Sequence, residues 1–410
     1  MSGVLFYLIL FLVISGFLVS QLIAFLNHRS RSNTIPSILS GVYAEERYRK
    51  YREYKSVSYR FGLIVSWLSF GATLLMLSGG FVLADDFVSV LSPVPIVRSL
   101  LFFGLLGLAA DLLSTPFDLY ETFVIEQKFG FNRTTMNTYI ADKLKSWLLA
   151  AVIGGLMLSM IMWLYAILGS SFWWLAWIAI TAFSLFFSLF YSTLIVPLFN
   201  KQTPLGAGEL REKLQILAEK TGFRLSDIFV IDGSKRSTRS NAYFSGFGAR
   251  RRIVLYDTLI QKQSSDQITA VLAHELGHYK RRHTVKSLVI SVLQTGLLLF
   301  LFSEIVDNPL IYDALGSSRQ SFHLGMIIFA ILFSPISMVI SLVTNAVSRK
   351  FEYEADKFAV EYADPEALAA SLRLLAADNL SDLTPNPLYV WLNYSHPPLD
   401  KRLERILQSR

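Results

Sequence analysis

Residues 271–280, VLAHELGHYK, place His274 and His278 four positions apart with Glu275 between them. On a helix that spacing projects both imidazoles from one face, where both can reach one metal ion. Glu275 then stands beside the ion and can poise a metal-bound water as general base. The bland alternative is two surface histidines at a helix end, which the apolar neighbours on both sides weaken. A hydrolytic zinc needs a third protein ligand and one open position. The chain has no cysteine, which excludes thiolate zinc sites, disulfides and thiol nucleophiles. The best candidate is a carboxylate in residues 348–356, SRKFEYEAD, which offers Glu352, Glu354 and Asp356. Glu352 and Asp356 share a helix face and Glu354 points to the far side. That pattern favours Glu352 as ligand and Asp356 as the acceptor that fixes the tautomer of a ligating histidine. Glu354 reads as a solvated charge.

The elements that must position these groups can be read outward from the motif. Residues 264–267, SSDQ, offer a helix cap, and Ile268, Val271, Leu272 and Leu276 follow at helical spacing. Upstream, residues 208–221 carry Leu210, Leu214 and Leu217 on one face of an expected helix. Residues 227–231 and 251–256 read as strands, with Gly246 and Gly248 in the turn between them. Most of the remaining chain is apolar. Its 410 residues are 53% hydrophobic and only 17% charged, with a mean hydropathy of +0.44; soluble domains carry about 25% charged residues. Seven apolar runs lie near 4–26, 61–83, 100–124, 147–169, 172–199, 285–306 and 325–347, each long enough for the roughly 20 residues of a spanning helix. The first lacks a basic flank and a cleavage site and reads as a retained helix. The third holds Asp111, Asp118 and Glu121, which either face a cavity or partner or cap a shorter helix.

Lysine and arginine crowd the loops after the first and third runs, whereas Arg98 and Arg319 stand nearly alone after the second, fourth and sixth. The positive-inside rule then puts the N-terminus outside, and the C-terminus and the histidine motif in the cytoplasm. This accounts for the net charge of +7, and without a recognition motif nucleic-acid binding is set aside. Residues 47–59, RYRKYREYKSVSY, read either as a basic helix lying on anionic lipid or as a solvated linker helix. His28 and His323 are expected at helix ends against water or headgroups. His283, five past His278, is expected on another face.

The pairing of HELGH with FEYEAD after two further membrane helices resembles the type I CAAX prenyl proteases, integral-membrane zinc endopeptidases. The likeness continues in ETFVIEQKFGFNRTT (121–135), VPLFNKQTPL (196–205), GSKRSTRSNAYFSGF (233–247), RIVLYDTLI (252–260) and SHPPLDKRL (395–403), in the family's order and over essentially the whole chain. It implies one Zn2+ per chain, held by His274, His278 and Glu352, with Glu275 as catalytic base. It also implies that Asn241, Ala242, Tyr243 and Phe244 form an edge strand for an extended substrate. His396, with Arg402 behind it, would lie near the zinc and contact the scissile carbonyl or the ligand cluster. Strand addition to an exposed edge is physically apt, and His396 could hydrogen-bond an oxyanion or merely help an S-H-P-P turn.

The resemblance implies a mainly α membrane protein, seven transmembrane helices enclosing an intramembrane chamber, with a cytoplasmic protease domain carrying a small β-sheet. The expected organisation is five helices over 1–199, a protease region over 200–284, two helices over 285–347 and a cytoplasmic region over 348–410 that holds the third ligand. The implied activity is peptide-bond hydrolysis within a lipid bilayer, on peptides or on the C-terminal tails of prenylated proteins. Damaged membrane proteins are an alternative substrate, and an inactive seven-helix scaffold or transporter is the alternative of another class. A cysteine-free chain without an endoplasmic-reticulum retrieval tail favours a bacterial cytoplasmic membrane.

Overall fold

The computed structural model describes residues 2–30, 35, 37–223, 227–245 and 252–408, with the side chains of Ser2, Asp227, Phe244 and Ser245 left aside. Gly246, Gly248 and Arg251, assigned above to a turn and a strand start, lie outside the described residues. Six helical runs are long and apolar enough to cross a membrane. One of them, Met136–Phe199, turns back on itself at the 3-10 turn Gly169–Phe172, where Gly169 takes φ 56°. Seven crossings result, as expected, and the chain is a multi-pass membrane protein. The last run, Phe322–Tyr362, is one continuous helix whose apolar part ends near Val347 and whose polar extension carries FEYEAD out of the membrane region.

A solid bundle buries one stripe of each helix along its length. These helices do not. Residues 10–22, 55–76, 103–124, 132–161, 177–191, 284–295 and 334–351 include no buried side chain. The middle of every span is therefore open on its inner as well as its outer side, and the helices stand as staves around a chamber. One end is closed by two apolar clusters, the first around Ile9, Leu77, Phe102, Tyr312 and Leu324, the second around Phe172, Leu299, Phe302, Phe322 and Phe329. Asp111, within the third span, meets Lys143 at 3.0 Å, so a partner rather than lipid faces this carboxylate.

The other end is closed by a folded polar domain. Its sheet runs β1 (Gln202–Pro204), β2 (Asp227–Ile231), β4 (Arg252–Tyr256), β3 (Ala242–Ser245), with β2 and β4 parallel and the outer pairs antiparallel. Strand β3 is thus an edge, paired on one side only. Leu214 and Leu217 of helix Glu209–Lys220 pack with Ile228, Ile253 and Leu255 of the sheet and with Ile268, Leu272 and Leu276 of helix Ser265–Lys280. The latter helix begins with the full reciprocal cap, Ser264 to the Gln267 backbone and Gln267 back to Ser264.

Two sequence readings change here. Residues 47–59 neither lie on lipid nor form a free linker. They begin the long helix Glu45–Leu75, whose Tyr48, Tyr51 and Tyr54, three apart, enter the polar core. Arg47 binds Asp378 at 2.7 Å, and the Tyr51 and Tyr54 hydroxyls donate to Asp382 at 2.8 Å and Glu126 at 2.6 Å. The helix is a strut between membrane and domain because Tyr48, Tyr51 and Tyr54 share one face that enters the polar core, and two of them find carboxylate acceptors there. His323 is at a helix end as expected, but 1% exposed rather than against water or headgroups. His28 does sit near its helix end, stacked on Tyr59 at 4.1 Å.

Candidate metal centre

Helix Ser265–Lys280 crosses the extension of helix Phe322–Tyr362 so closely that a Cβ on Gly277 would lie 2.9 Å from the Ala355 Cα. Only glycine leaves room for this approach. The crossing sets Glu352, one turn before Ala355, against the two histidines. His274 Nε2 and His278 Nε2 are 3.2 Å apart, and they stand 3.5 Å and 3.3 Å from the two Glu352 carboxylate oxygens. A tetrahedral zinc with bonds of about 2.0–2.1 Å spaces its ligand atoms about 3.3 Å apart. The three side chains therefore match the spacing the ion requires, and they form the metal-type group among the described residues. Glu352 Oε2 is buried and makes no hydrogen bond, an acceptor left over for a cation. The residues fit.

Around them the charges are ordered in layers. His274 Nδ1 lies 2.8 Å from Asp356 Oδ1, which Arg402 grips from behind through Nη2 at 2.6 Å and Nε, to Oδ2, at 2.9 Å. Asp356 is 2% exposed. Burial would lower the His274 pKa, but hydrogen bonds to Asp356 and Glu352 outweigh it and raise the value to about 9. Burial likewise opposes ionisation of Glu352, yet the bonds from His274 and His278 hold its carboxyl far below the usual range. Burial works against charge on Arg402 too, and Asp356 and Glu352 overcome it.

Glu275 and exposed His396 line a cleft of about 630 Å³ that opens onto His274 and Glu352. His396 Nε2 is 3.3 Å from Glu352 Oε1, and its Nδ1 meets the Ser395 hydroxyl at 2.9 Å. Asn241 and Ala242, at the start of the free edge, line the same cleft. Tyr243, in contrast, packs toward Val196, Ile231 and Val254 behind the sheet. The side chain of Phe244 lies outside the described residues. The structure thus brings Glu275, His396, His274, His278, Glu352, Asp356, Arg402, Asn241 and Ala242 to one place, some 160 positions apart in sequence at the extremes.

Two residues set aside in the sequence belong here as well. His283 Nδ1 is 3.1 Å from His278 Nδ1, and its Nε2 is 2.9 Å from Glu354 Oε2. Glu354 is a half-buried partner, not a solvated charge. The spacing argument failed because it assumed one continuous helix. Arg282 takes a left-handed conformation, φ 56°, which ends the motif helix and starts the next at His283, so the ring swings back. Within the sequence, the only signal was a third histidine in HELGHYKRRH.

Comparison with known proteins places the chain in a family. The family description "CAAX prenyl protease N-terminal, five membrane helices" matches residues 24–201, and "Peptidase family M48" matches residues 204–410. CAAX prenyl protease 1 of Saccharomyces cerevisiae is 34% identical over 96% of this chain and 94% of its own length. A homolog from Arabidopsis thaliana is 35% identical over 91% and 90%, and one from Homo sapiens is 34% identical over 76% and 74%. The crystal structure of S. mikatae Ste24p superposes with a TM-score of 0.92 at 32% identity, covering 98% of this chain and 99% of that one. With a membrane half and a metallopeptidase half both matched, and relatives aligned nearly end to end, the chain belongs to the CAAX prenyl protease 1 family of M48 metallopeptidases.

Proposed function

We propose that this metallopeptidase binds one zinc ion through His274, His278 and Glu352 and removes short C-terminal tails from prenylated proteins. Two imidazoles and one carboxylate are the donor set of hydrolytic zinc sites. Zinc, when bound, supplies a Lewis acid for the scissile carbonyl and acidifies a water near neutral pH. Glu275 takes the proton from that water and returns it to the departing amine. His396 donates a hydrogen bond to the oxyanion. Asp356, locked by Arg402, keeps His274 in the tautomer that presents Nε2. The backbone of β3, from Asn241 and Ala242 through Tyr243 and Phe244, pairs with the extended substrate.

The observation that carries the tail-cutting reading is the lining of the cleft. Beside His274, Glu275 and Glu352 it includes apolar Leu259, Leu372 and Leu375 and polar Lys55, Ser240 and Asn379. Ser240 is 6% exposed, and its hydroxyl, like the Asn379 amide oxygen, is buried without a hydrogen-bond partner. Apolar side chains together with a lysine and an idle hydroxyl in one cleft suit a short aliphatic segment ending in a free carboxylate.

The polar domain and its zinc site face the cytoplasm in this proposal, in line with the basic loops. We assign residues 200–284 and 348–410 to the catalytic half, and 1–199 and 285–347 to the chamber. The relatives compared above are eukaryotic, and none of them supports the bacterial membrane favoured by the cysteine-free composition.

The test is hydrolysis of a prenylated CAAX peptide as free acid and as C-terminal amide, beside an unmodified peptide and an unfolded membrane protein. A hydrogen bond to a charged group contributes about 1.5–3 kcal/mol, so the amide should be cut roughly ten- to a hundredfold less efficiently, and Lys55→Ala should narrow that gap. Equal cleavage of acid, amide and unfolded protein returns the quality-control reading. Glu275→Gln should keep its metal and lose roughly 10²–10⁴-fold in rate.

A further inference from the structure

The second metal-facing histidine has support of a kind the first lacks. His274 leans directly on a carboxylate, Asp356. For His278, the nitrogen turned away from the metal site meets another ring nitrogen, His283 Nδ1, at 3.1 Å, and His283 Nε2 meets Glu354 Oε2 at 2.9 Å. Two facing nitrogens make a hydrogen bond only if one carries a proton and the other a lone pair. A metal-ligating imidazole presents a bare nitrogen to the ion. His278 then holds its proton on Nδ1, which fixes His283 Nδ1 as acceptor and His283 Nε2–H as donor to Glu354. One tautomer of each ring satisfies all three contacts. A cationic His283 would set N–H against N–H.

We propose that Glu354 and His283 form a relay that positions His278 and sharpens its basicity toward the metal. Both are positioning residues, since neither reaches the ligand point. The inference rests on the metal-site reading above. The three residues come from three elements: the motif helix, the first residue of the following span His283–Ile305, and the extension of Phe322–Tyr362. His283 is held flat on Phe351, ring centroids 4.1 Å apart and planes within 7°, and is 2% exposed. Its ring is thus fixed before any metal arrives. The relay also bridges the break at Arg282, tying the start of a membrane span to the metal site at its mouth.

Outer partners of metal-ligating histidines typically contribute 10–100-fold in metal affinity. The experiment measures zinc affinity of the full chain in detergent by chelator competition, together with the visible absorption of the cobalt-substituted protein. His283→Ala and Glu354→Ala should each weaken binding about 10–100-fold and shift the cobalt bands. His283→Gln supplies an acceptor and a donor in the same order and should recover much of the affinity. Glu354→Ala alters a half-exposed side chain and covers the case in which His283→Ala fails to fold. Parent-like affinity and an unchanged cobalt spectrum in Glu354→Ala overturn the relay, as does a His283→Gln variant no better than His283→Ala. Glu352→Ala runs beside them: if it retains full zinc, the metal-site reading itself falls, independently of the relay.

Discussion

Each end of the membrane barrel holds a buried histidine bonded to a buried aspartate, and the two clusters behave oppositely. At the closed end, His323 Nε2 donates to Asp85 at 2.8 Å and His323 Nδ1 accepts from Ser99 at 2.8 Å, while the Ser321 hydroxyl lies 3.0 and 3.1 Å from the two Asp85 oxygens. The order Ser–His–Asp is that of a hydrolase triad, yet Ser99 is 1% exposed and no substrate can reach it. His323 and Asp85 are both hydrogen-bonded there, so the cluster is a pin that ties the second, third and seventh spans. At the open end, His274 Nε2, His278 Nε2 and the Glu352 carboxylate converge on one point, and Glu352 Oε2 makes no hydrogen bond, with Arg402 Nη1 3.4 Å away. Both clusters are buried and both contain histidine. What distinguishes a site from a pin is leftover acceptor capacity beside a cleft.

The largest contrast should come from deleting one carboxylate at each end. Glu352→Ala removes a ligand, and metal content should drop to background while the membrane half stays folded. Asp85→Ala orphans His323 and Ser321, each costing about 1–3 kcal/mol, so thermal stability in detergent should fall while the metal stays bound. Metal analysis and unfolding curves on both variants decide it. A metal loss in Asp85→Ala would mean that the two ends are coupled and the distinction is false.

A smaller effect should follow from Gly277→Ala. The added methyl meets the Ala355 backbone at 2.9 Å and the Phe358 Cβ at 3.0 Å, so the two ligand-bearing helices must part. Overpacking of this kind costs roughly 1–3 kcal/mol, and the spread should weaken metal binding as well. The same substitution at Gly62, whose Cβ would meet nothing within 4 Å, is the control. Equal zinc affinity in both variants would show that the crossing does not set the ligand distances.

Much of the open end was legible in the sequence because it is local. Ser264 and Gln267 announce their helix, HELGH puts His274 and His278 on one face by helical spacing, and Glu352 and Asp356 share a face one turn apart. The membrane runs were legible for the same reason, since each is a continuous apolar segment. What could not be read depends on contacts between distant elements or on a break in a helix. His283 and Glu354 join only because Arg282 leaves the helical region. His323 is buried because three spans converge on it, which hydropathy does not encode. Strand β1 is three residues long and exists by pairing with β2. The tyrosine stripe of the strut was masked by the arginines and lysines between its rings.

The last contrast is in pH. In the metal-free chain the His274 pKa is raised to about 9 from an ordinary 6.5 by the carboxylates of Asp356, 2.8 Å away, and Glu352, 3.5 Å away, so the ring is protonated at neutral pH. The raised value favours the folded state: that contribution is fully present below about pH 6.5 and is lost as pH rises through about 9. Metal uptake has the reverse dependence, because a ligating imidazole must be neutral. Apparent zinc affinity should therefore increase about tenfold per pH unit between pH 7 and 9, one displaced proton for each ion bound, and level off above. Chelator competition at several pH values in that range measures the slope, and a pH-indicating dye counts the released proton. Asp356→Asn removes the carboxylate that raises the pKa most, so its bend should move to lower pH. An affinity that is flat from pH 7 to 9 would mean that His274 is already neutral and that its Nε2 lone pair is free for the ion without a proton leaving.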